Sequence, residues 1–577
     1  MGLKTKLAKL KKGGIILRRH GVYSLTKWME NKRFHRRMDP GVIKESHLTS
    51  QQELESQRRY RFEDGVKFSI ITPLYNTPKE FLEELIVSLK EQTYGNWELC
   101  LADGSDHQHT YVGEMCRRYA AEDARIRYQV LDQNRGISEN TNECIRMATG
   151  EYYGLLDHDD LLHPSALYHV MKAISEDGAD FLYTDEVKFS GKVEDIDNPL
   201  AFNLKPGFGV DDLRSHNYIC HFTVFHRRLL DGEKELYRKE FDGSQDHDMV
   251  LRMTEKAQKI THIPRVLYYW RVHEQSVSMD LGTKPYAVKA GIDAVKDQLI
   301  RQKEEGSVAS SAPFQTLYRV EYAQQENPLV SILVHGAMSD AGLELAVRRL
   351  AGETCYRPLE IVYVSEKEIE LGEEVRGVRI KEKHEKEAER FNHMAEKAQG
   401  EYLVLLEAAC RPSDGNWIKE LLMHAQRKQV AAVSPKIYFS DGRICYAGIV
   451  LDESKEEGIR YLCSHDVRGD IGYEAMLCHV RNTSASTKLC MMVKKQIWQE
   501  LNGFDTAMSG YEAIDFSLRA LQAGKRNIWT AYAELTLEGD RITQRTLLQA
   551  EKFKGRWKEA IQKENYCHPL WETLHIV

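Results

Sequence analysis

From Lys67 onward the chain alternates short apolar runs with amphipathic stretches. FSIITPLYN (68–76) is a β-branched run that ends around Pro73, and FLEELIVSLKEQ (81–92) behind it carries helical spacing. WELCLADGSD (97–106) reads as a strand closing in Gly104 and Ser105, followed by another helix and by RIRYQVL (125–131). Alternation at this spacing predicts an α/β fold, a mainly parallel sheet covered by helices on both faces. Such sheets bind ligands outside the carboxyl ends of their strands, so the polar residues just after each strand are the ones to interrogate.

The pattern then recurs. SIITPLYN at 69 pairs with SILVHGAM at 331, and the same offset pairs Tyr94 with Tyr356 and ELCLAD (98–103) with EIVYVS (360–365). TNECIRMATGEYYGLLDHDD (141–160) pairs with FNHMAEKAQGEYLVLLEAAC (391–410), and DHDMVLR (246–252) with AIDFSLR (513–519). An ordered series whose offset drifts only at loops is what a duplicated domain leaves behind. The predicted division is a basic helical segment (1–65), a first domain (66–280), a helical linker (281–327), a second domain (328–540) and a helical tail (541–577). Within the linker, 285–302 predicts a helix and GSVASSAP (306–313) a loop. The tail helix is expected to dock on the second domain.

Composition changes the picture in three places. No apolar run reaches the roughly 18 residues that span a bilayer, and the start is too short in apolar length for a signal peptide, so the expected location is the cytosol. Residues 1–40 hold 12 Lys/Arg against 2 Asp/Glu, so the net −7 of the chain hides a basic end ahead of an acidic body. That end is a candidate for peripheral contact with the inner face of the plasma membrane, the alternative being a solvated helix packed on the first domain. The 11 cysteines are scattered and contain no C-x-x-C pair, which excludes a disulfide framework and a zinc-ribbon site.

The strongest chemical signal is LLDHDD (155–160), a strand that stops in Asp157, Asp159 and Asp160. Clustered carboxylates repel one another unless a cation compensates, and Mg²⁺ or Mn²⁺ takes such oxygen ligands while keeping places for substrate phosphates. A solvated acidic loop or a helix cap is the alternative. In GSQDHDMVLRM (243–253), Asp246 and Asp248 open a helix. Asp246 is a candidate general base, and Asp248 reads as a structural cap. His273, after the aromatic strand of HIPRVLYYWRVH, is a candidate nitrogen ligand. There is no G-x-G-x-x-G after the first strand, no P-loop and no G-x-S-x-G, which excludes the dinucleotide, P-loop and hydrolase readings.

Taken in order, SIITPLYNT, QTYGNWELCLADGS, NRGISENTNECIRMATGEY, LLDHDD, ADFLYTDEVK, SQDHDMVLR and IPRVLYYWRVH resemble the motifs of the family 2 glycosyltransferases, which have the GT-A fold. The resemblance covers both halves and is close in the first; it extends to bacterial enzymes that build cell-surface polysaccharides. It implies two tandem GT-A domains and a nucleotide pocket formed by Pro73, Tyr75, Asn76 and Asp103, with Asp157 at the donor. Asp159, Asp160 and His273 would hold Mn²⁺ or Mg²⁺, and Asp246 would be the base of an inverting displacement. The donor would be a UDP- or dTDP-sugar and the acceptor a glycan or polyprenyl-linked glycan; nucleic acid is not an expected partner. Two departures are Ala102 beside Asp103 and Gln245 before the base, where the family often carries acids.

In the second half the repeat sets Glu407, Ala408, Ala409 and Cys410 against Asp157 to Asp160, Ser365 against Asp103 and Ala513 against Asp246. His335, Ala337 and Met338 face Pro73, Tyr75 and Asn76, and LTLEGD (535–540) has no histidine. The expectation is a retained fold without its chemistry. The competing readings are a non-catalytic glycan-binding or scaffold protein and a two-site transferase. A sugar nucleotidyltransferase would need a glycine-rich basic turn where TPLYNT stands.

Overall fold

The computed structural model describes residues 48–577 apart from 198, 274–284, 325, 337–338, 383, 540–544, 575 and 577, with a few positions before 48. The basic segment 1–40, its expected membrane contact, and the Ala337 and Met338 pairing therefore lie outside the described residues or nearly so. The described end of the first segment is the helix Gln51–Arg59, whose Ser50 Oγ accepts from Glu53 N–H at 3.2 Å. Gln57 of that helix accepts from Thr93 Oγ1 at 2.9 Å, tying it to the unit that follows.

That unit is built on β1 (Phe68–Leu74), β2 (Trp97–Asp103), β3 (Ile126–Val130), β4 (Tyr152–Leu155), β5 (Leu161–Leu162), β6 (Phe181–Ser190), β7 (Ala201–Asn203), β8 (Thr223–His226) and β9 (Ile260–Val272). Their order is β3-β2-β1-β4-β8-β6-β9-β5, with β7 added to β6. β3, β2, β1 and β4 run parallel, and β8 is antiparallel to both β4 and β6. Every residue of β1 and β2 is buried, which is why these strands are continuous apolar runs with no polar alternation.

A second sheet repeats the arrangement. Strands 375–380, 359–364, 330–335, 402–407, 490–494, 430–439, 526–537 and 410–412 follow one another in space in the same order. Each neighbouring pair has the same relative direction as its counterpart in the first sheet. The repeat reaches single hydrogen bonds. Ser69 Oγ donates to Glu98 at 2.6 Å and accepts from Gly150 N–H at 2.8 Å. Ser331 Oγ donates to Glu360 at 2.7 Å and accepts from Gly400 N–H at 2.8 Å. A Cβ on Gly150 would come within 2.7 Å of Ser69 Oγ, and one on Gly400 within 2.4 Å of Ser331 Oγ, so both copies of the G-E-Y motif require glycine. Tyr94 and Tyr356 each donate at 2.6 Å to a carbonyl at the entry of their unit, Val66 and Pro328.

The two units share a core. Val187, Phe189, Phe202 and Leu204 of the first pack in one apolar cluster with Tyr438, Tyr473 and Trp571. The helix Leu547–Gln562 docks on the second unit, where Phe553 stacks on Tyr511 at 4.2 Å. The chain then returns to the first unit: His568 hydrogen-bonds Asp185 at 2.8 Å and Trp571 Nε1 donates to Leu204 O at 3.2 Å. The stretch 306–313, expected as a loop, instead supplies the strand Gly306–Ser311, paired antiparallel with Leu317–Tyr322. Its small residues carry no strand signal; backbone pairing with LYRVEY, whose buried Leu317, Tyr318 and Val320 do, holds it in place. The 11 cysteines form no disulfide with one another, and most are buried. Among the described residues no helix is long and apolar enough to cross a membrane.

Candidate active site

β1 and β2 are in register from Phe68 against Trp97 to Leu74 against Asp103, so both end at the same edge. β4 joins β1 on the other side, which brings the acidic turn to that edge as well. Beyond β1 the backbone turns at Asn76 (φ 50°), a left-handed conformation that Asn tolerates better than most residues. Asn76 N–H donates to Ser105 Oγ at 2.8 Å, and its side chain exchanges hydrogen bonds with Asp106 at 2.9 and 3.0 Å. Asp103 accepts from Ser105 N–H at 2.9 Å and from Tyr128 OH at 2.8 Å. Pro73 lies buried opposite Ala102, while Tyr75 is exposed. The four residues expected around the nucleotide therefore share one strand edge, with Asp106 and Tyr128 as partners that the motifs did not single out.

The acidic turn is joined to this edge by a 2.7 Å hydrogen bond between Thr77 Oγ1 and His158 Nδ1. Asp159 Oδ2 lies 2.8 Å from His273 Nε2. Burial alone would raise the Asp159 carboxyl, but His273 and His158 hold it below the usual range. Burial pushes Asp157 up to about 6; His221 opposes the rise, and the carboxylates of Asp159 and Asp246 add to it. Carboxylate crowding of this kind is what a bound cation relieves. Cis ligands at about 2.1 Å from an octahedral ion stand about 3 Å apart, so the Asp159–His273 separation suits two ligands of one ion. Oxygen and imidazole donors together suit Mn²⁺.

Asp160 is engaged by the strand that returns beside the turn. It is 1% exposed, and both its oxygens are occupied, one by Tyr268 OH at 2.6 Å and one by Arg271 N–H at 2.7 Å. Burial and the neighbouring carboxylates push it well above the usual carboxylate range. A side chain so engaged braces the turn that carries Asp159. Arg271 completes the brace: Nε donates to Asp159 O at 2.8 Å, Nη1 to Gly191 O at 2.7 Å and Nη2 to Glu84 at 2.5 Å. The sequence signal for Arg271 is its place at the end of β9, two residues before His273.

Asp246 sits in the first turn of the helix Gln245–Lys256 and accepts from Tyr237 OH and, at 3.2 Å, from Gln245 Nε2. It lines a cavity of about 370 Å³. Asp248, two residues on, is fully buried between Arg238 and Arg252, the latter at 3.0 Å. It is an internal ion pair rather than a cap. Asp515 and Arg519 repeat that pair at 2.8 Å in the second unit, whereas Ala513 is buried where Asp246 stands in the first.

Residues 69–232 match the family model described as glycosyl transferase family 2. That span thus resembles a family 2 glycosyltransferase domain. Asp246 and His273 lie beyond the matched span. The chain is 33% identical over 491 residues to the uncharacterized protein y4gI of Sinorhizobium fredii, a match that covers 82% of this chain and 53% of that protein. It is 30% identical over 480 residues to the O-antigen biosynthesis protein RfbC of Myxococcus xanthus, covering 81% of this chain and 37% of that one. The chain thus spans about half or less of the length of these relatives. Among solved structures, S. aureus TarS 1–349 in complex with UDP-GlcNAc matches at 18% identity and a TM-score of 0.34, over 41% of this chain and 66% of that one. The first unit has the mainly parallel α/β sheet that its strand and helix alternation implies.

Proposed function

We propose that the first unit transfers a sugar from a nucleotide-diphosphate donor, UDP- or dTDP-linked, to a hydroxyl of a glycan or lipid-linked glycan. The observation that carries this reading is the Asp159–His273 pair at the strand edge, with Asp246 close enough to Asp157 to shift its titration. Asp103, Asn76, Tyr75 and Pro73 would hold the nucleotide, and Asp159 and His273 the divalent ion, with Asp157 next to the donor. When bound, that ion offsets the charge that grows on the leaving diphosphate. Asp246, oriented by Tyr237, takes the proton of the acceptor hydroxyl as its oxygen attacks the anomeric carbon from the face opposite the diphosphate. The new glycosidic bond forms as the bond to the diphosphate breaks, and the configuration inverts. The second unit lacks these acids and is read as non-catalytic. The likeness to an O-antigen biosynthesis protein supports a role in surface polysaccharide assembly. A cytosolic place for the chain, with the basic residues 1–40 against the inner membrane face, fits a lipid-linked acceptor.

The test is donor hydrolysis and binding across a panel of UDP- and dTDP-sugars, with Mn²⁺ or EDTA. Metal-dependent turnover of one donor is expected to fall by about 10²–10⁴-fold in Asp246→Asn while donor binding persists. Asp159→Ala should lose the metal dependence. No binding of any donor by the wild type would move the whole chain to a glycan-binding scaffold.

A further inference from the structure

The cavity beside Asp246 is not made by the first unit alone. Asp246, Tyr218 and Trp270 line one side; Tyr473, Glu474 and His479, all from the second unit, line the other. Trp571 of the returning tail closes it. The far wall is fixed to the first unit rather than resting on it. Tyr473 OH accepts from Leu204 N–H at 2.8 Å and donates to Phe202 O at 3.0 Å. His479 Nε2 lies 2.9 Å from Asp212 Oδ1, and His216 Nε2 lies 3.4 Å from the same oxygen. Between these anchors Glu474 (φ 46°) and Ala475 (φ 61°) adopt left-handed backbone, which side-chain-bearing residues hold only where surrounding structure enforces it.

A space of about 370 Å³ lies within the range of small-ligand sites. Aromatic faces beside a few placed polar groups suit a sugar ring, whose C–H face stacks while its hydroxyls hydrogen-bond. Asn76 and Asp103, at the nucleotide edge, are not among its lining residues. We propose that the second unit, without transferase chemistry of its own, forms a wall of the acceptor pocket and so takes part in selecting the sugar that is glycosylated. This rests on the reading of Asp246 as the base. It explains what a unit stripped of its acids contributes: Tyr473, Glu474 and His479 line the same cavity as Asp246.

The test separates acceptor binding from turnover. Saturation-transfer NMR on the full chain would use p-nitrophenyl α- and β-glycosides of hexoses and deoxyhexoses, with no donor present. At least one glycoside is expected to bind the wild type and to bind fivefold or more weakly to Glu474→Gln and to His479→Gln, with donor affinity unchanged in both. Glu474→Gln keeps size and backbone, so it guards against a folding defect in the His479 variant; a melting curve like that of the wild type certifies each. Glycosides that bind both variants as they bind the wild type, or no binding by any glycoside, would overturn the proposal. If glycoside binding responds as expected but Asp246→Asn still turns over donor, the assignment of the base fails and the pocket stands.

Discussion

Asp211 is the clamp between the two units, and its removal should be felt across the whole chain. It is 2% exposed, at the start of the helix Val210–Ser215 in the first unit. Its partners belong to the second: Arg427 Nη1 donates to Oδ1 at 2.5 Å, Asn482 Nδ2 to Oδ2 at 2.9 Å, and Arg526 Nε stands 3.2 Å from Oδ2. Breaking a buried ion pair from one side costs about 3–5 kcal/mol, because the partner charge stays buried. In Asp211→Ala, Arg427 keeps Glu304 at 2.8 Å, and Arg526 is 22% exposed, so the cost falls at the low end, about 3 kcal/mol. An unfolding entropy of about 2.1 cal/mol/K per residue, over 577 residues melting together, gives about 1.2 kcal/mol/K. The expected drop in Tm is therefore about 2.5 °C in a single transition. The arginines hold Asp211 well below the usual carboxylate range, despite the burial that opposes it. A depressed folded pKa contributes stability that is complete above the unfolded carboxylate pKa and fades as pH falls, so the gap between variant and wild type should narrow on acidification. Calorimetry at several pH values reads both quantities. A Tm shift under about 0.5 °C at neutral pH, or a gap that widens in acid, would refute the reasoning.

Three further outcomes follow from the same geometry. Burial raises Glu98, but donors from Lys67, Ser69 and Thr149 bring it down to about 2, so its contribution of about 3 kcal/mol is full above pH 4.5 and lost toward pH 2; urea unfolding of Glu98→Gln against wild type should converge in acid. Tyr268→Phe takes a donor from the buried Asp160, which should cost about 1–3 kcal/mol of stability in the same assay and slacken the turn that carries Asp159. Asp515→Asn weakens a fully buried group shared by Arg519 at 2.8 Å and Trp557 Nε1 at 3.1 Å; it should lower Tm while leaving donor hydrolysis within twofold of wild type. A large loss of hydrolysis in that variant would argue that the second unit takes part in the chemistry.

The duplicated fold was legible because it is written in residues with one possible job. Ser69, Glu98 and Gly150 recur in the same order as Ser331, Glu360 and Gly400, and the structure gives both sets the same hydrogen bonds. The acidic turn was legible as a cluster but not in its division of labour. Asp157, Asp159 and Asp160 are alike in type, and only the return of β9, more than a hundred residues later, occupies Asp160 through Tyr268 and Arg271 and leaves Asp159 to His273. Gly306–Ser311 escaped notice because its pairing is a property of the partner strand. The cavity at Asp246 was least legible, since Tyr473 and Trp571 reach it from the other unit and carry no local signal of it.

That last point bears on why the second unit keeps its framework so closely after losing its acids. If it served only to cover apolar surface, its strand order would need to survive but the orientation of 473–482 would not. Instead that segment is held by side-chain hydrogen bonds to backbone groups of the first unit: Tyr473 at Phe202 and Leu204, and Asn482 Oδ1 at Asp211 N–H, 3.0 Å. Ser215 Oγ, donating to Val480 O at 3.0 Å, fastens it from the opposite side. Such bonds are directional, and a buried donor or acceptor left unmatched by a small shift costs about 1–3 kcal/mol. The segment is thus held in position to within a hydrogen bond's tolerance on the flank of Asp246. A sheet that must hold a wall at that tolerance has to keep its framework bonds, Ser331 to Glu360 and Asp515 to Arg519 among them, while Ala409 and Ala513 are free of the constraint that fixes Asp159 and Asp246.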